Sequence, residues 1–347
     1  MSERIRVGFI GTGGIAGRHA QTLLEMDNVD IVAGADVSED ALEDFAEQTG
    51  ASELFEDYEE MLEAARPDAV SVCTPNYLHK DPTVKALKAG CHVMVEKPMA
   101  MDAEEAQEMV DTADEAGRQL TIGFQWRLSP EAQALKQYLD DGQIGQPLYG
   151  RVQAMRRRGI PNWGVFGQKE LQGGGPLIDI GVHMMELAHY LMGRPVPVAA
   201  VANTWTYLGD EPSDVRSQWE GWDHETYTVE DLATGFIRFA NGACMSVESS
   251  FAAHIEEDVM NVQVMGDEGG YTYSPTKVFK DESGLMVNVE PAFVGGHSGF
   301  DLKMENWIAS IRGEEESYCP AEDGLTIQKM LDGLYQSAEQ GAEVEIS

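Results

Sequence analysis

One short run in the second half of the chain concentrates groups able to move a proton. Gly173-Gly-Gly-Pro-Leu-Ile-Asp-Ile-Gly-Val-His183 sets three glycines and a proline ahead of Asp179 and His183. Pro176 suits the first turn of a helix, and residues four apart share one helical face. Histidine exchanges a proton near neutral pH, and a carboxylate beside it raises its basicity and fixes its ring. Asp179 and His183 are therefore read as a proton-transfer pair. His189 lies on another side of the same helix and is read as structural.

Three further polar clusters follow apolar, strand-like runs. Thr74-Pro-Asn-Tyr-Leu-His79 follows Ala69–Cys73, Glu96-Lys97-Pro98 closes His92–Glu96, and Gly123-Phe-Gln-Trp-Arg127 ends Gln119–Gly123. In an open α/β sheet, ligands bind outside the carboxyl ends of the strands. The three clusters are thus expected to border one cleft. Thr74, Asn76, His79, Glu96, Lys97 and Gln125 are its candidate cofactor contacts, and Lys97 and Arg127 its candidate substrate contacts.

The cofactor itself is suggested by the first strand-like run, which enters a glycine turn. In Gly11-Thr-Gly-Gly-Ile-Ala16, Gly11, Gly13 and Ala16 match the dinucleotide pattern G-x-G-x-x-G/A, with Thr12, Gly14 and Ile15 between them. The first glycine permits the turn, the second lets backbone approach a pyrophosphate, and the small third residue allows tight helix–strand packing. The amides of the following helix would face phosphate. Asp36 follows a second apolar run, Val29–Ala35, about 20 residues on, where such a fold holds the adenosine ribose. No Lys or Arg occurs from His19 through Ala65. A 2′-phosphate would meet Asp36 with no local cation, so NAD is expected over NADP.

The positioning elements follow from periodicity. Strand runs Arg4–Ile10, Val29–Asp36, Ala69–Cys73, His92–Glu96 and Gln119–Gly123 alternate with helical stretches 15–25, 39–48, 58–64, 78–89 and 103–116. Gly50, Gly90 and Gly117 mark helix stops. This order specifies a doubly wound parallel sheet. After Gly123 the pattern changes to Val198–Tyr207, Leu232–Phe239, Ala243–Ser250 and Val259–Met265, with an Asn241-Gly242 hairpin signal and helices over 176–192 and 324–340. The expected fold is α/β: an N-terminal Rossmann domain over 1–123, then an α+β domain over 124–347 with a large, mainly antiparallel sheet. Leu148–Arg158 reads as its first strand, with Arg156 and Arg158 on one face and Arg157 on the other. Arginine suits bidentate binding of an acid group. Arg156, with Trp163 nearby in sequence, is a candidate substrate contact; pairing with surface acids or a subunit contact is the alternative.

The chain of 347 residues carries 60 Asp and Glu against 24 Lys and Arg, a formal charge of −36. The acids are spread along helices, as at Glu39, Asp40, Glu43, Asp44 and Glu47, not gathered in a tail. That distribution reads as a solvated surface suited to high salt, hence a halophilic, cytoplasmic protein. Nucleic acid is excluded as a partner by repulsion. The four cysteines have no metal-ligand spacing, so no metal is expected. No leader and no membrane span is expected either, because no apolar run reaches the necessary length.

Taken together, Gly11–Ala16, Thr74-Pro-Asn76 with His79, Glu96-Lys97-Pro98, Asp179 with His183, and the late run Val229-Glu-Asp-Leu-Ala-Thr-Gly resemble, in order, the Gfo/Idh/MocA oxidoreductases. The resemblance spans nearly the whole chain. It implies a bound nicotinamide, a sugar or polyol substrate, and catalytic roles for Lys97, Asp179 and His183. On that reading His183 takes the hydroxyl proton, Asp179 orients His183 and binds substrate, and Lys97 donates to the reacting oxygen. A homodimer or homotetramer is expected. Many members carry Asp where this chain has Glu186. Two other readings stay open: a redox-neutral enzyme that retains NAD, and a non-enzymatic sugar sensor.

Overall fold

The computed structural model describes residues 4–217 and 219–347. They form two compact units, Met1–Leu128 with Ser298–Leu325, and Ser129–His297 with Thr326–Ser347. A single cut near residue 123 therefore misses the return of Ser298–Leu325 to the first unit.

The first unit is built on six parallel strands: β1 (Ile5–Ile10), β2 (Val29–Ala35), β3 (Glu53–Phe55), β4 (Ala69–Val72), β5 (His92–Val95) and β6 (Leu120–Ile122). Their order is β3-β2-β1-β4-β5-β6, the doubly wound arrangement in which the order of winding reverses between β1 and β4. β1, β4 and β5 are apolar on both faces because helices cover both, and Val7, Phe9, Val70, Val72, Val93 and Val95 are fully buried. The crossover helices are α1 (Gly14–Leu24), α2 (Glu39–Thr49), α3 (Tyr58–Ala65), α4 (Lys80–Lys88) and α5 (Ala103–Ala116). Their ends follow local chemistry. Ser38 and Asp102 cap α2 and α5 by accepting from Ala41 N–H and Glu105 N–H. Gly50, Gly90 and Gly117, read as stops, all have positive φ. The expected helix over 78–89 is α4, Lys80–Lys88, entered through a 3-10 turn, Asn76–Leu78. The short β3 was not marked in the sequence, since its three residues are half-exposed or exposed.

In the second unit, α6 (Pro130–Asp140) precedes β7 (Pro147–Met155), and the four-residue α7 (Lys169–Gln172) precedes a π-helical turn (Leu177–Gly181) and α8 (Val182–Leu191). Strands β8 (Pro197–Trp205), β9 (Leu232–Phe239), β10 (Cys244–Ser250), β11 (Val259–Gly266), β12 (Gly269–Thr272), β13 (Lys277–Glu282), β14 (Leu285–Val289) and β15 (Val344–Glu345) join β7 in one sheet. Its order is β14-β13-β12-β11-β7-β10-β9-β8-β15. Every pairing is antiparallel except β10 with β7. Gly242 at φ +88 closes the expected β9–β10 hairpin. Val152, Ala154, Met245, Val247, Val262 and Val264 alternate inward, and α8 packs on β7 and β11 with Met184, Leu187, Ala188 and Leu191 fully buried.

The expectation that Leu148–Arg158 forms one strand is corrected: β7 ends at Met155, so the strand alternation proposed for Arg156, Arg157 and Arg158 does not apply. Arg156 N–H still donates to Ser250, but Arg157 N–H turns to the Asp258 carboxylate, and beyond it only an isolated antiparallel bridge, Arg158 with Ala252, continues the contact.

The return segment completes the first core. Helix α9 (Gly299–Ile311) packs on α1 and buries Met304, Trp307 and Ile308 against Val7, Phe9, Leu23 and Met94. Helix α10 (Ala321–Gln340) follows it.

Candidate active site

The glycine turn is sterically committed. Gly11 has φ +82, and a Cβ there would lie 2.8 Å from the Cys73 carbonyl group and 2.9 Å from Thr74 N. No L-side chain fits, which brings the turn against the end of β4. Gly13 and Gly14 are the opposite case: a Cβ on either meets nothing within 4 Å. The space above them opens into a cleft of about 470 Å³ lined by Thr12, Gly13, Gly14, Arg18, Asp44 and Gln48 among others. Gly13 caps α1 without a side-chain bond, so the helix start presents its backbone to that cleft.

Asp36, at the end of β2, ties down the same loop. Its carboxylate accepts from Thr12 N–H at 2.8 Å, Thr12 Oγ1–H at 3.3 Å and Ser38 N–H at 2.9 Å. A carboxylate offers about four acceptor positions, which leaves capacity for a ribose hydroxyl. Arg18 lines the cleft, but its guanidinium is engaged by Asp301 at 2.7 Å and Gln21 at 3.0 Å. That engagement preserves the electrostatic argument for NAD over NADP.

At the other strand ends the residues divide. Thr74 Oγ1 donates to Leu78 carbonyl and steadies the 3-10 turn that holds Asn76. Gln125 is half-buried, and among the described residues its Oε1 is buried with no hydrogen-bond partner. An orphaned acceptor beside β6 fits a ligand that brings its own N–H. Lys97 is half-buried after β5, and its N–H donates to Glu96 Oε2 at 3.2 Å.

Two expected contacts are corrected. His79 is buried, with Nδ1 2.7 Å from Pro98 carbonyl and Nε2 2.9 Å from Thr74 carbonyl. Both nitrogens face backbone carbonyls; burial lowers the His79 pKa, so the neutral ring donates to one of them and sits between two loops rather than facing a ligand. Arg127 is fully buried and pairs with Asp323 at 2.6 Å while donating to Tyr318 carbonyl. It holds the return segment and is not available to a substrate.

In the second unit Asp179 sits in the π-helical turn and His183 in the first turn of α8. The pair stays within one local stretch, but the turn is wider than the α-helix expected. Single π-turns recur at functional sites. The stretch is anchored from below. The buried Glu230 carboxylate accepts from Gly175 N–H at 2.9 Å, Leu177 N–H at 3.2 Å and Tyr335 O–H at 2.9 Å. Ser249 Oγ donates to Pro176 carbonyl at 2.8 Å, and Asp179 N–H closes on Gly175 carbonyl at 3.1 Å. Burial raises the Glu230 pKa, against the pull of its donors.

Arg156 belongs to this neighbourhood. Burial lowers its pKa while the charges of Asp179 and Asp258 oppose the shift. Its guanidinium lies 4.8 Å above the Trp219 ring and 5.6 Å from Phe251. Trp163, half-exposed, meets Trp219 edge-on at 4.8 Å and Phe166 at 6.0 Å. The structure thus joins Arg156 and Trp163 through Trp219, which the sequence had not singled out. His189 is structural as expected: its Nε2 donates to Pro195 carbonyl and its ring stacks on Phe239. Among the described residues no group of three His, Cys, Asp or Glu is placed to hold a metal ion.

A Rossmann unit with an open glycine turn, coupled in sequence to a large-sheet unit carrying an Asp–His pair, defines a nicotinamide-dependent oxidoreductase. Comparison with known proteins agrees. Residues 5–124 match the oxidoreductase family with an NAD-binding Rossmann fold, and residues 136–346 its C-terminal alpha/beta domain. The chain belongs to the Gfo/Idh/MocA oxidoreductase family. It is 39% identical to the D-glucoside 3-dehydrogenase of Escherichia coli (strain K12), over 99% of this chain and 98% of the relative. It is 26% identical to the glucose-6-phosphate 3-dehydrogenase of Bacillus subtilis (strain 168), over 99% of each. An NAD-binding oxidoreductase from Klebsiella pneumoniae superposes with a TM-score of 0.83 at 25% identity, over 99% of both chains.

Proposed function

We propose that this protein oxidises the 3-hydroxyl of a D-glucose unit, free or within a glucoside. The observation that carries the substrate class is the 39% identity, over nearly full length, to a D-glucoside 3-dehydrogenase. The second relative, also named for position 3, supports the carbon. NAD, when bound, accepts the hydride from the substrate carbon. Gly11, Thr12, Gly13, Gly14, Ile15 and Asp36 hold its pyrophosphate and ribose, and Thr74, Asn76, Glu96, Lys97 and Gln125 serve its nicotinamide end. His183 removes the hydroxyl proton, and Asp179 fixes the ring and binds a neighbouring hydroxyl. Lys97 donates to the reacting oxygen and steadies its developing charge. Arg156 and Trp163 contact the rest of the sugar. Support for these roles is the order of the motifs in the family, the orphaned Gln125 acceptor and the charge coupling of Arg156 to Asp179.

The same reading makes the protein a cytoplasmic homodimer or homotetramer adapted to high salt. Supporting the first, the four cysteines are all free. Supporting the second, the sheet face opposite α8 exposes Val201, Trp205, Met265 and Phe279. Supporting the third, Glu39, Asp40, Glu43, Asp44 and Glu47 are all exposed.

The test is NADH formation, followed at about 340 nm, with methyl glucosides, glucose, glucose 6-phosphate and inositols, at low and molar salt. NADH with glucosides and a 3-keto product by NMR is expected. Tightly retained cofactor with no net NADH would overturn the reading in favour of a redox-neutral enzyme.

A further inference from the structure

The corner that carries Lys97 is held from below by a buried charge from the return segment. Lys303 lies on α9, only 1% exposed. Its ammonium is 2.6 Å from Glu96 Oε1 and 2.8 Å from His19 Nε2. Glu96 and His19 are buried too. The other Glu96 oxygen accepts the Lys97 N–H. We propose that Lys303 is a positioning residue for the reaction assigned above: its ammonium clamps Glu96 to His19 and thereby fixes the backbone that presents Lys97.

Hydrogen-bond bookkeeping sets the protonation state. An ammonium only donates, so His19 Nε2 must accept, and the ring proton sits on Nδ1. Nδ1 donates to Ser71 Oγ at 2.9 Å. Neutral His19 then has no proton to offer Glu96, although Nε2 and Oε1 are 3.0 Å apart. Lys303 is what binds those two acceptors to each other. Gly123 allows the approach, since a Cβ there would fall 2.7 Å from Glu96 Oε1.

The electrostatics agree. Burial, then Lys303, lower the His19 pKa to about 4, with Arg18 adding to the effect and Glu96 opposing it. Burial pushes Glu96 up, but the Lys303 ammonium opposes it, and the carboxyl is held well below its usual range. On the Glu96 side the electrostatic neighbours are His79, whose own pKa burial lowers, and Lys97. Cys73 Sγ is 3.6 Å from Nδ1, and burial raises that thiol to about 12. The Phe300 ring lies 5.3 Å from the ammonium. The site therefore balances one buried anion against one buried cation, a pair that is costly to break on one side.

That balance gives a signature that plain loss of packing lacks. In Lys303→Met the Glu96 carboxylate loses its cation, and His19 is the neighbour able to replace it. With Lys303 gone, its lowering effect on His19 vanishes while that of Glu96, which raises, remains. The His19 pKa climbs, and the clamp re-forms as a His19–Glu96 ion pair as pH falls through it.

The experiment measures kcat for the wild type and Lys303→Met from about pH 8 to about pH 6, with NADH affinity followed by fluorescence. At the alkaline end kcat should fall about 10–100-fold, the scale of a misplaced catalytic group, with the deficit closing several-fold at the acid end. Lys303→Met/His19→Gln should show the deficit without the closure. A pH-independent ratio, or closure in the double variant as well, overturns the proposal. Should Lys303→Met not fold, histidine-selective ¹⁵N NMR of the wild type decides: His19 must be a neutral Nδ1–H tautomer at about pH 7, and an imidazolium there refutes the clamp. Failure of the Lys97 assignment itself is distinguishable, because Lys97→Ala would then keep turnover while the His19 tautomer is unchanged.

Discussion

Replacing Glu230 by Gln perturbs the support of Asp179 and His183 without touching either. The carboxylate accepts three hydrogen bonds, two through Oε1 from Leu177 N–H and Tyr335 O–H, and one through Oε2 from Gly175 N–H. The new amide's oxygen keeps the first two, but its NH₂ group then points a donor at Gly175 N–H. One buried donor is orphaned, at a cost of about 1–3 kcal/mol. Taking about 2 kcal/mol, the melting temperature of a unit of this size should fall about 4–8 °C. Gly175 is also the acceptor for Asp179 N–H, so a shift there moves the backbone of Asp179, the residue proposed to orient His183. A drop in kcat of about 10-fold is expected, since sub-ångström misplacement is costly in near-attack geometries.

The pH dependence of this effect has a definite sign. Burial raises the Glu230 pKa above that of the unfolded chain. The folded state therefore binds more protons than the unfolded state between the two values. In that window the contribution of Glu230 to stability falls as pH rises, whereas the amide introduced by Glu230→Gln cannot titrate. The deficit of Glu230→Gln should be largest at acid pH and narrow as pH climbs out of the ordinary carboxylate range. Thermal melts across that range, with kcat and NADH affinity at each pH, make the test. A deficit that widens with pH, or unchanged melting and turnover, refutes the argument; NADH affinity should not move, because the cofactor turn is built from the other unit.

Lys97→Ala and His183→Ala should each lower kcat about 10²–10⁴-fold with NAD binding kept, the usual scale for a lost proton-transfer group; near-wild-type turnover in either would remove that residue from the mechanism. Asp36→Ser with Val37→Arg should shift preference toward NADP, because it deletes a repelling carboxylate and adds a cation at an exposed position; a wild type that already prefers NADP would contradict the reading of Asp36. With a formal charge of −36, the melting temperature should rise from ~0.1 M to ~2 M KCl as the screening length contracts to ~3 Å by 1 M. A flat or falling trend counts against salt adaptation.

What the sequence revealed and what it hid divide along one physical line. Local chemistry was legible. Glycine stops and apolar runs placed β1, β2, β4 and β5 and the helices between them to within a few residues. Features with no local signature were hidden. Strands β12, β13 and β14 lack a continuous apolar face, and Leu285 and Met286 are exposed, so periodicity had nothing to register. The π-turn at Asp179 looks like the helix it interrupts.

The same line separates the site residues. Gly11 and Asp36 make their contacts with neighbours that adjoining loops supply: Gly11 against Cys73 and Thr74, Asp36 with Thr12 and Ser38. Arg127 and His79 stand in equally suggestive clusters, yet their partners come from elsewhere. Asp323 is 196 residues from Arg127, and no pattern around a strand end reports what will pack on it. A polar residue at a ligand-facing edge is equally suited to holding a distant segment, because burial demands a partner of the same chemistry that a ligand would offer. Lys303 is the converse. On a helix it reads as one more surface lysine, and only the return of α9 to the first unit turns it into the counter-charge of Glu96. The chemistry of a motif such as Glu96-Lys97-Pro98 is thus written locally, while the electrostatic balance that lets it stay buried is written 207 residues away.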